Sequence, residues 1–187
     1  VASPVTMSAW VYFDSLPGSE RCVYTLCDSN AFSTKNQISL FRQNNALKMR
    51  VGDPIGGYTL WDAGPDTPLA VRRWNNIVII FDSIGDIKLF ADGEQRANSN
   101  TSKIPSGINR FCVGYLSNQS TNYYWPGKIA DVACWNTILS EEQIRELGNG
   151  VRPNVIQRGN LKAYLPSCDF DIVGNTRYVQ VGLPTSY

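Results

Sequence analysis

Histidine is absent from all 187 residues. That removes the commonest general base, the Ser-His and Cys-His nucleophile pairs and the usual zinc-binding side chain together. Charge is also scarce. Charged residues make up 18% and the formal net charge is +1, so nothing calls for nucleic acid or an anionic membrane surface as partner. No apolar run approaches the roughly 20 residues of a membrane-spanning helix, and membrane insertion is not expected. No signal peptide is visible and the chain begins with Val1, which reads as a processed or excised segment. The five cysteines are few and odd in number: Cys22 and Cys27 stand in C-x4-C spacing, while Cys112, Cys134 and Cys168 stand alone. That pattern suits free buried thiols, with a Cys22–Cys27 disulfide across a turn as the alternative, so cysteine leaves the compartment open.

What is present is a string of short alternating segments. Hydrophobic residues make up 43%, enough for one well-buried domain over 1–187 and outside the disordered class. Residues 5–13 alternate as Val5, Met7, Ala9, Val11 and Phe13 against Thr6, Ser8, Trp10 and Tyr12, the signal of a half-buried strand. Further strands are expected over 22–27, 37–42, 46–51, 58–61, 74–81, 87–91, 111–115, 129–135, 161–165 and 177–181, separated by turn-forming residues. WNNIVIIF at 74–81 is the most continuous apolar run and reads as central, and Asp92-Gly93 reads as a type I′ hairpin turn. Ile129, Asp131, Ala133 and Trp135 are expected on one face of their strand, with Val132 and Cys134 on the other. One helix is expected near 140–147. Ser140 is its N-cap and Gln143 completes an S-x-x-Q capping box; Glu141 and Glu142 suit the positive end of its dipole, Ile144 and Leu147 form an apolar stripe, and Gly148 is the stop. The expected fold is all-β: a two-sheet antiparallel jelly-roll sandwich with one short helix.

Three segments in order carry a resemblance: VTMSAWVYFDSLPG, RRWNNIVIIFDSIGDIKLFADGEQ and YYWPGKIADVACWNTILSEEQIREL, spanning 5–147. Together they resemble the laminin-G-like and pentraxin-like branch of the concanavalin A-like lectin and glucanase superfamily. The resemblance implies a jelly-roll sandwich, with Trp125 at a core aromatic position. One departure concerns the first strand. Relatives begin with a Tyr-Val-x-Val strand, and here Tyr178-Val179-Gln180-Val181 stands at the far end, so the last strand is a candidate to fill that place. Glucanase relatives carry Glu-x-Asp-x-x-Glu on one strand. The nearest match here, Asp169 to Gly174, lacks the final Glu, and retaining hydrolysis needs two carboxylates about 5 Å apart. The chain is therefore not expected to be an enzyme.

Pentraxin-like relatives gather calcium ligands shortly before the late strand, yet no Asp or Glu occurs from Gln95 through Ala130. A hard divalent cation needs several oxygen ligands. Calcium is the one cofactor left open, with Asp28, Asn30 and Asp53 as its weak candidate ligands. Sugar recognition uses aromatic rings flanked by amides and carboxylates. Two groups fit that composition: Tyr58, Trp61 and Asp62; and Asn118, Gln119, Asn122, Tyr123 and Tyr124. Trp10, Trp74 and Trp135 read as core side chains. Asn100-Thr101-Ser102 and Asn118-Gln119-Ser120 match the glycosylation sequon, which matters only in a eukaryotic secreted protein. The leading expectation is a non-catalytic recognition module with a glycan or protein partner, extracellular or on a virion or cell surface. The alternative is a structural decoration domain in a homo-oligomer or larger assembly such as a virion or adhesin, and glycoside hydrolysis comes third.

Overall fold

The computed structural model describes residues 4–15, 18–28, 36–43, 46–63, 69–114, 123–166 and 180–182. Twelve strands run in the order β1 (Val5–Phe13), β2 (Arg21–Cys27), β3 (Gln37–Gln43), β4 (Ala46–Gly52), β5 (Tyr58–Asp62), β6 (Asn75–Phe81), β7 (Asp86–Ala91), β8 (Glu94–Asn100), β9 (Arg110–Val113), β10 (Gly127–Trp135), β11 (Leu161–Leu165) and β12 (Gln180–Gly182). Helix α1 (Glu141–Gly148) lies between β10 and β11, followed by two 3₁₀ turns at Pro153–Val155 and Arg158–Asn160. The strands form two six-stranded antiparallel sheets. The first has the order β11-β10-β1-β6-β7-β8 and the second β12-β9-β2-β3-β4-β5. The expected sandwich with one short helix is what the chain adopts.

Strand alternation builds the interior. Met7, Ala9, Val11, Phe13, Ile77, Ile79, Phe81 and Leu89 of the first sheet meet Tyr24, Leu26, Ile38, Leu40, Met49, Val51 and Phe111 of the second in one continuous cluster. β6 is central, as its apolar run implies, and all seven of its residues are buried. Its outward residues Val78 and Ile80 join Phe90, Ala133, Trp135, Ile144 and Leu147 in a second cluster beneath α1. Ser140 caps α1 as expected: its Oγ accepts from the Gln143 N–H at 3.3 Å, and its own N–H donates to Gln143 Oε1 at 3.0 Å. Trp135 is fully buried and its Nε1 donates to the Ile156 carbonyl at 2.9 Å. Asp92 and Gly93 have φ of 51° and 80°, both positive as a type I′ turn requires.

The expected free buried thiols are present at Cys22, Cys27, Cys112 and Cys134, in place of the disulfide alternative, and Cys168 lies outside the described residues. Three expectations need correction. Ile129 does not share a face with Ala133 and Trp135. Against β10, Ser8 pairs with Ala133 but Trp10 with Ala130, so the single residue Ala9 of β1 opposes two of β10, Asp131 and Val132. Asp131, with φ of 45°, carries the bulge. Alternation therefore resets there, and Ile129 and Val132 both face the interior. Second, β8 is a strand that apolar alternation does not reveal, because EQRANSN is an exposed edge with only Ala97 packing against the core. Third, Trp135 is core, but Trp10 is half-buried and Trp74 is 39% exposed. Both sit on the outward face of the first sheet, where Trp74 packs against Tyr12 at 5.7 Å between ring centroids. The last strand, β12, pairs with β9 at the edge of the second sheet; Tyr178 and Val179 lie outside the described residues.

Candidate functional site

Helix α1 covers part of the outward face of the first sheet, and the outward face of the second presents a different chemistry. Inward positions on β2–β5 and β9 are mostly apolar, with Thr59 and the buried Arg42, whose guanidinium lies 4.8 Å from the Phe13 ring centroid, as exceptions, while the alternate positions carry amides, hydroxyls, thiols, charges and two aromatic rings. Registered pairing arranges these outward side chains in three rows. One row is Asp62, Lys48, Phe41 and Cys22. The next is Leu60, Arg50, Ser39, Thr25 and Cys112. The third is Tyr58, Gly52, Gln37, Cys27 and Arg110.

Around β4 and β5 the rows are tied together by charge and aromatic stacking. The Arg50 guanidinium lies 4.9 Å from the centroid of Tyr58 and 5.2 Å from that of Phe41. Each contact contributes about 0.5–1 kcal/mol when exposed and more when desolvated. Arg50 also reaches Glu20 at 3.4 Å, and Lys48 reaches Asp62 at 3.2 Å. Phe41 is buried, whereas Tyr58 is 46% exposed, so the stack ends in an aromatic ring held out toward solvent. Deeper on the same face, Thr25 donates to Ser39 Oγ at 3.3 Å.

The third row holds unspent hydrogen-bonding capacity. Gln37 is fully buried, yet among the described residues neither its Oε1 nor its Nε2 has a partner, and the Nε atoms of Arg50 and Arg110 also lack one. An unpartnered buried amide costs free energy. Gly52 separates Tyr58 from Gln37 in this row and contributes no side chain. Between Gln37 and Arg110 the row passes Cys27, whose thiol hydrogen-bonds the Cys112 thiol. That bond, and then burial, push the Cys112 thiol well above its ordinary value, so it stays neutral. Burial likewise pushes the Cys22 thiol up to about 12. Cys22 and Cys112 are neutral filling, and the charges of the face are carried by Arg50, Arg110, Lys48, Glu20 and Asp62.

Of the expected site residues, Tyr58 and Asp62 share this outward face. Trp61, one residue out of phase with both, pairs with Met49 and packs against the core from the other side of the strand. Tyr123 and Tyr124 are half-buried and lead into the fully buried Trp125, which packs edge-on to Phe13 at 5.7 Å and donates from Nε1 to the Tyr12 carbonyl at 3.2 Å. Asn118, Gln119 and Asn122 lie outside the described residues, as do Asn30 and the Asp169–Gly174 segment. The Asp53 carboxylate accepts from Lys103 Nζ and from the Gly56 N–H, each at 2.9 Å. The Lys103 bond foremost holds its pKa below the usual carboxylate range. Asp28 approaches Asn36 Nδ2 at 3.5 Å. These contacts occupy both candidate acids with protein partners, and among the described residues no group of three potential metal ligands converges.

Gln37, Arg50 and Arg110 are the site residues that sequence reasoning passed over. The signal available was their phase: each is a polar residue alternating with inward apolar ones, as in Gln37-Ile38-Ser39-Leu40-Phe41. The cross-strand register that puts Gln37, Arg110 and Tyr58 in one row is not encoded in any one segment.

No curated protein matches the chain. Among solved structures, the CBM40 domain of Ruminococcus gnavus IT-sialidase bound to α2,3-sialyllactose is similar, with a TM-score of 0.63, 15% identity, and coverage of 79% of this chain and 84% of that one. A leech intramolecular trans-sialidase gives 0.64 and 16%, covering 81% of this chain and 24% of that one. The receptor-binding domain of botulinum neurotoxin D gives 0.60 and 14%, covering 80% and 38%. At such identities the likeness shows the fold. The sequence pattern of Laminin_G_3, of the concanavalin A-like lectin/glucanases superfamily, matches residues 2–145; the chain belongs to this family.

Proposed function

We propose that the chain is a non-catalytic carbohydrate-binding module, working as one extracellular or surface-exposed domain, whose ligand rests on the exposed β5 edge of the second sheet. One observation carries the reading: an exposed Tyr58 ring, stacked on the Arg50 guanidinium, shares the outward face of edge strand β5 with the exposed Asp62 and its partner Lys48. A sugar ring offers an apolar C–H face to an aromatic side chain and hydroxyls to its polar neighbours, and the exposed Tyr58 ring with Asp62 on the same strand face supports this reading. Structures of similar fold include a module bound to sialyllactose and a toxin receptor-binding domain, which supports a glycan partner.

The reading is tested by screening the protein on a glycan array and titrating the best ligand by calorimetry against the native chain and Tyr58→Ala. The expected result is saturable binding that Tyr58→Ala weakens by roughly tenfold, with a fall in melting temperature of no more than about 4 °C from the lost Arg50 stack. An array that stays blank at high protein concentration would overturn the proposal, as would a Tyr58→Ala variant that binds as well as the native chain.

A further inference from the structure

The outward side chains of β5 bear on which class of carbohydrate the module takes, an inference that rests on the carbohydrate reading above. β5 is the last strand of the second sheet, and its exposure alternates: Tyr58, Leu60 and Asp62 are exposed, Thr59 and Trp61 half-buried. Residues two apart in a strand share a face, and each residue advances about 3.4 Å, so the row from Tyr58 to Asp62 is about 14 Å long. Its first two members are 46% and 44% exposed. The apolar ridge thus continues past the Tyr58 ring onto Leu60, which gives one sugar a ring to stack on and the next sugar a second apolar contact. A footprint of that length exceeds one pyranose.

Charge separates neutral from acidic sugars here. Lys48 and Arg50 of β4, and Lys103 beside the β4–β5 turn, are each matched by an acid: Asp62, Glu20 and Asp53 in that order. In the two pairs on the outward face the acid is the more exposed partner. Side-chain exposure is 50% for Asp62 against 18% for Lys48, and 20% for Glu20 against 8% for Arg50. The Tyr58 ring lies over the Arg50 guanidinium as well. An approaching ligand therefore meets carboxylate oxygens first. These accept hydrogen bonds from sugar hydroxyls and repel a sugar carboxylate.

We propose that the module selects a neutral, extended oligosaccharide of at least two sugars over an acidic one. One ring stacks on Tyr58, its neighbour rests on Leu60, and hydroxyls at the far end donate to Asp62.

Calorimetric titrations would compare neutral ligands of one to four sugars in glucose, xylose and galactose series. Each is set beside a counterpart carrying one uronic or sialic acid, and beside the carboxyl-reduced form of that counterpart. At low salt the native chain is expected to bind its best neutral ligand at least about fivefold more tightly than the acidic counterpart, with carboxyl reduction restoring affinity and added salt narrowing the gap. Affinity should rise roughly tenfold from the monosaccharide to the trisaccharide. Asp62→Asn should shrink the neutral-over-acidic ratio about threefold or more. Leu60→Thr, which keeps a strand-forming residue, should erase most of the gain from added sugars. The comparisons made on the native chain hold even where a variant does not fold. An acidic ligand that binds as tightly as its reduced form would overturn the neutral selection and leave the carbohydrate reading standing. A monosaccharide that binds as tightly as the trisaccharide would overturn the extended footprint. A neutral preference unmoved by Asp62→Asn, or a length dependence unmoved by Leu60→Thr, would overturn the role given to that residue. Absence of binding to every ligand would overturn the carbohydrate reading as well.

Discussion

Replacing Gly148 with alanine tests how the helix is held without touching the proposed site. Gly148 ends α1 where it abuts the β7–β8 turn. A methyl group there would lie 2.4 Å from the Gly93 nitrogen, 2.7 Å from the Asp92 carbonyl carbon and 2.7 Å from Gly93 Cα. All three neighbours are backbone, so no rotamer change relieves the overlap. Either the tight turn or the helix must move, and the helix is anchored through the fully buried Ile144 and Leu147. Overpacking a close contact costs about 1–3 kcal/mol, and backbone neighbours place this site at the upper end. For a chain of this size each kcal/mol lowers the melting temperature by roughly 2–4 °C, so Gly148→Ala should lower it by about 6–12 °C. Thermal denaturation followed by circular dichroism measures this directly. Gly159→Ala is the control, because a methyl group there meets nothing within 4 Å and its φ is not positive. A Gly148→Ala melting point within 2 °C of that control, roughly the shift of the smallest cost considered, would refute the packing argument. Glycan binding well below the transition should be unchanged, since α1 covers the opposite sheet.

Two further outcomes follow from the titratable groups. Burial raises the Cys22 and Cys134 thiols from 9.0 to about 12, and burial together with the Asp131 hydrogen bond raises the Tyr164 hydroxyl from 10.0 to about 12. Because these folded-state values lie above the unfolded ones, their contribution to stability is complete below pH 9 and is lost as pH rises from about 9 to about 12; denaturant midpoints should fall across that window, and unchanged midpoints would count against buried neutral thiols. Lys103→Met should raise the Asp53 pKa toward that of a free carboxylate, measured by NMR titration of the side chain. No change would show that the ion pair seen at 2.9 Å is not formed in solution.

Much of the fold could be read in advance because strand alternation, turn residues and a helix cap are local signals. The 5–13 strand, the Asp92-Gly93 turn and the Ser140 capping box each depend on residues a few positions apart, and each appears where expected. The misreadings came where structure depends on a partner strand. The Asp131 bulge is defined by its register against β1, and β8 is held by pairing with β7 with almost no apolar side of its own. Trp61 follows Tyr58 closely in the chain, but their odd spacing in a strand sends the two side chains to opposite faces. Trp10 and Trp74 were assigned to the core by size, yet both take outward positions of the first sheet. The candidate site was legible only through Tyr58 and Asp62. Gln37 and Arg110 lie 73 positions apart in sequence and become neighbours of one row only through two strand registers.

The most direct test of the central claim is to map the bound surface. In a ¹H–¹⁵N NMR titration of the protein with the glycan of highest affinity, the account predicts that shifted amides cluster on β4 and β5, centred on Lys48, Tyr58, Leu60 and Asp62. Shifts gathered instead around Trp10, Tyr12 and Trp74 on the opposite sheet would contradict it.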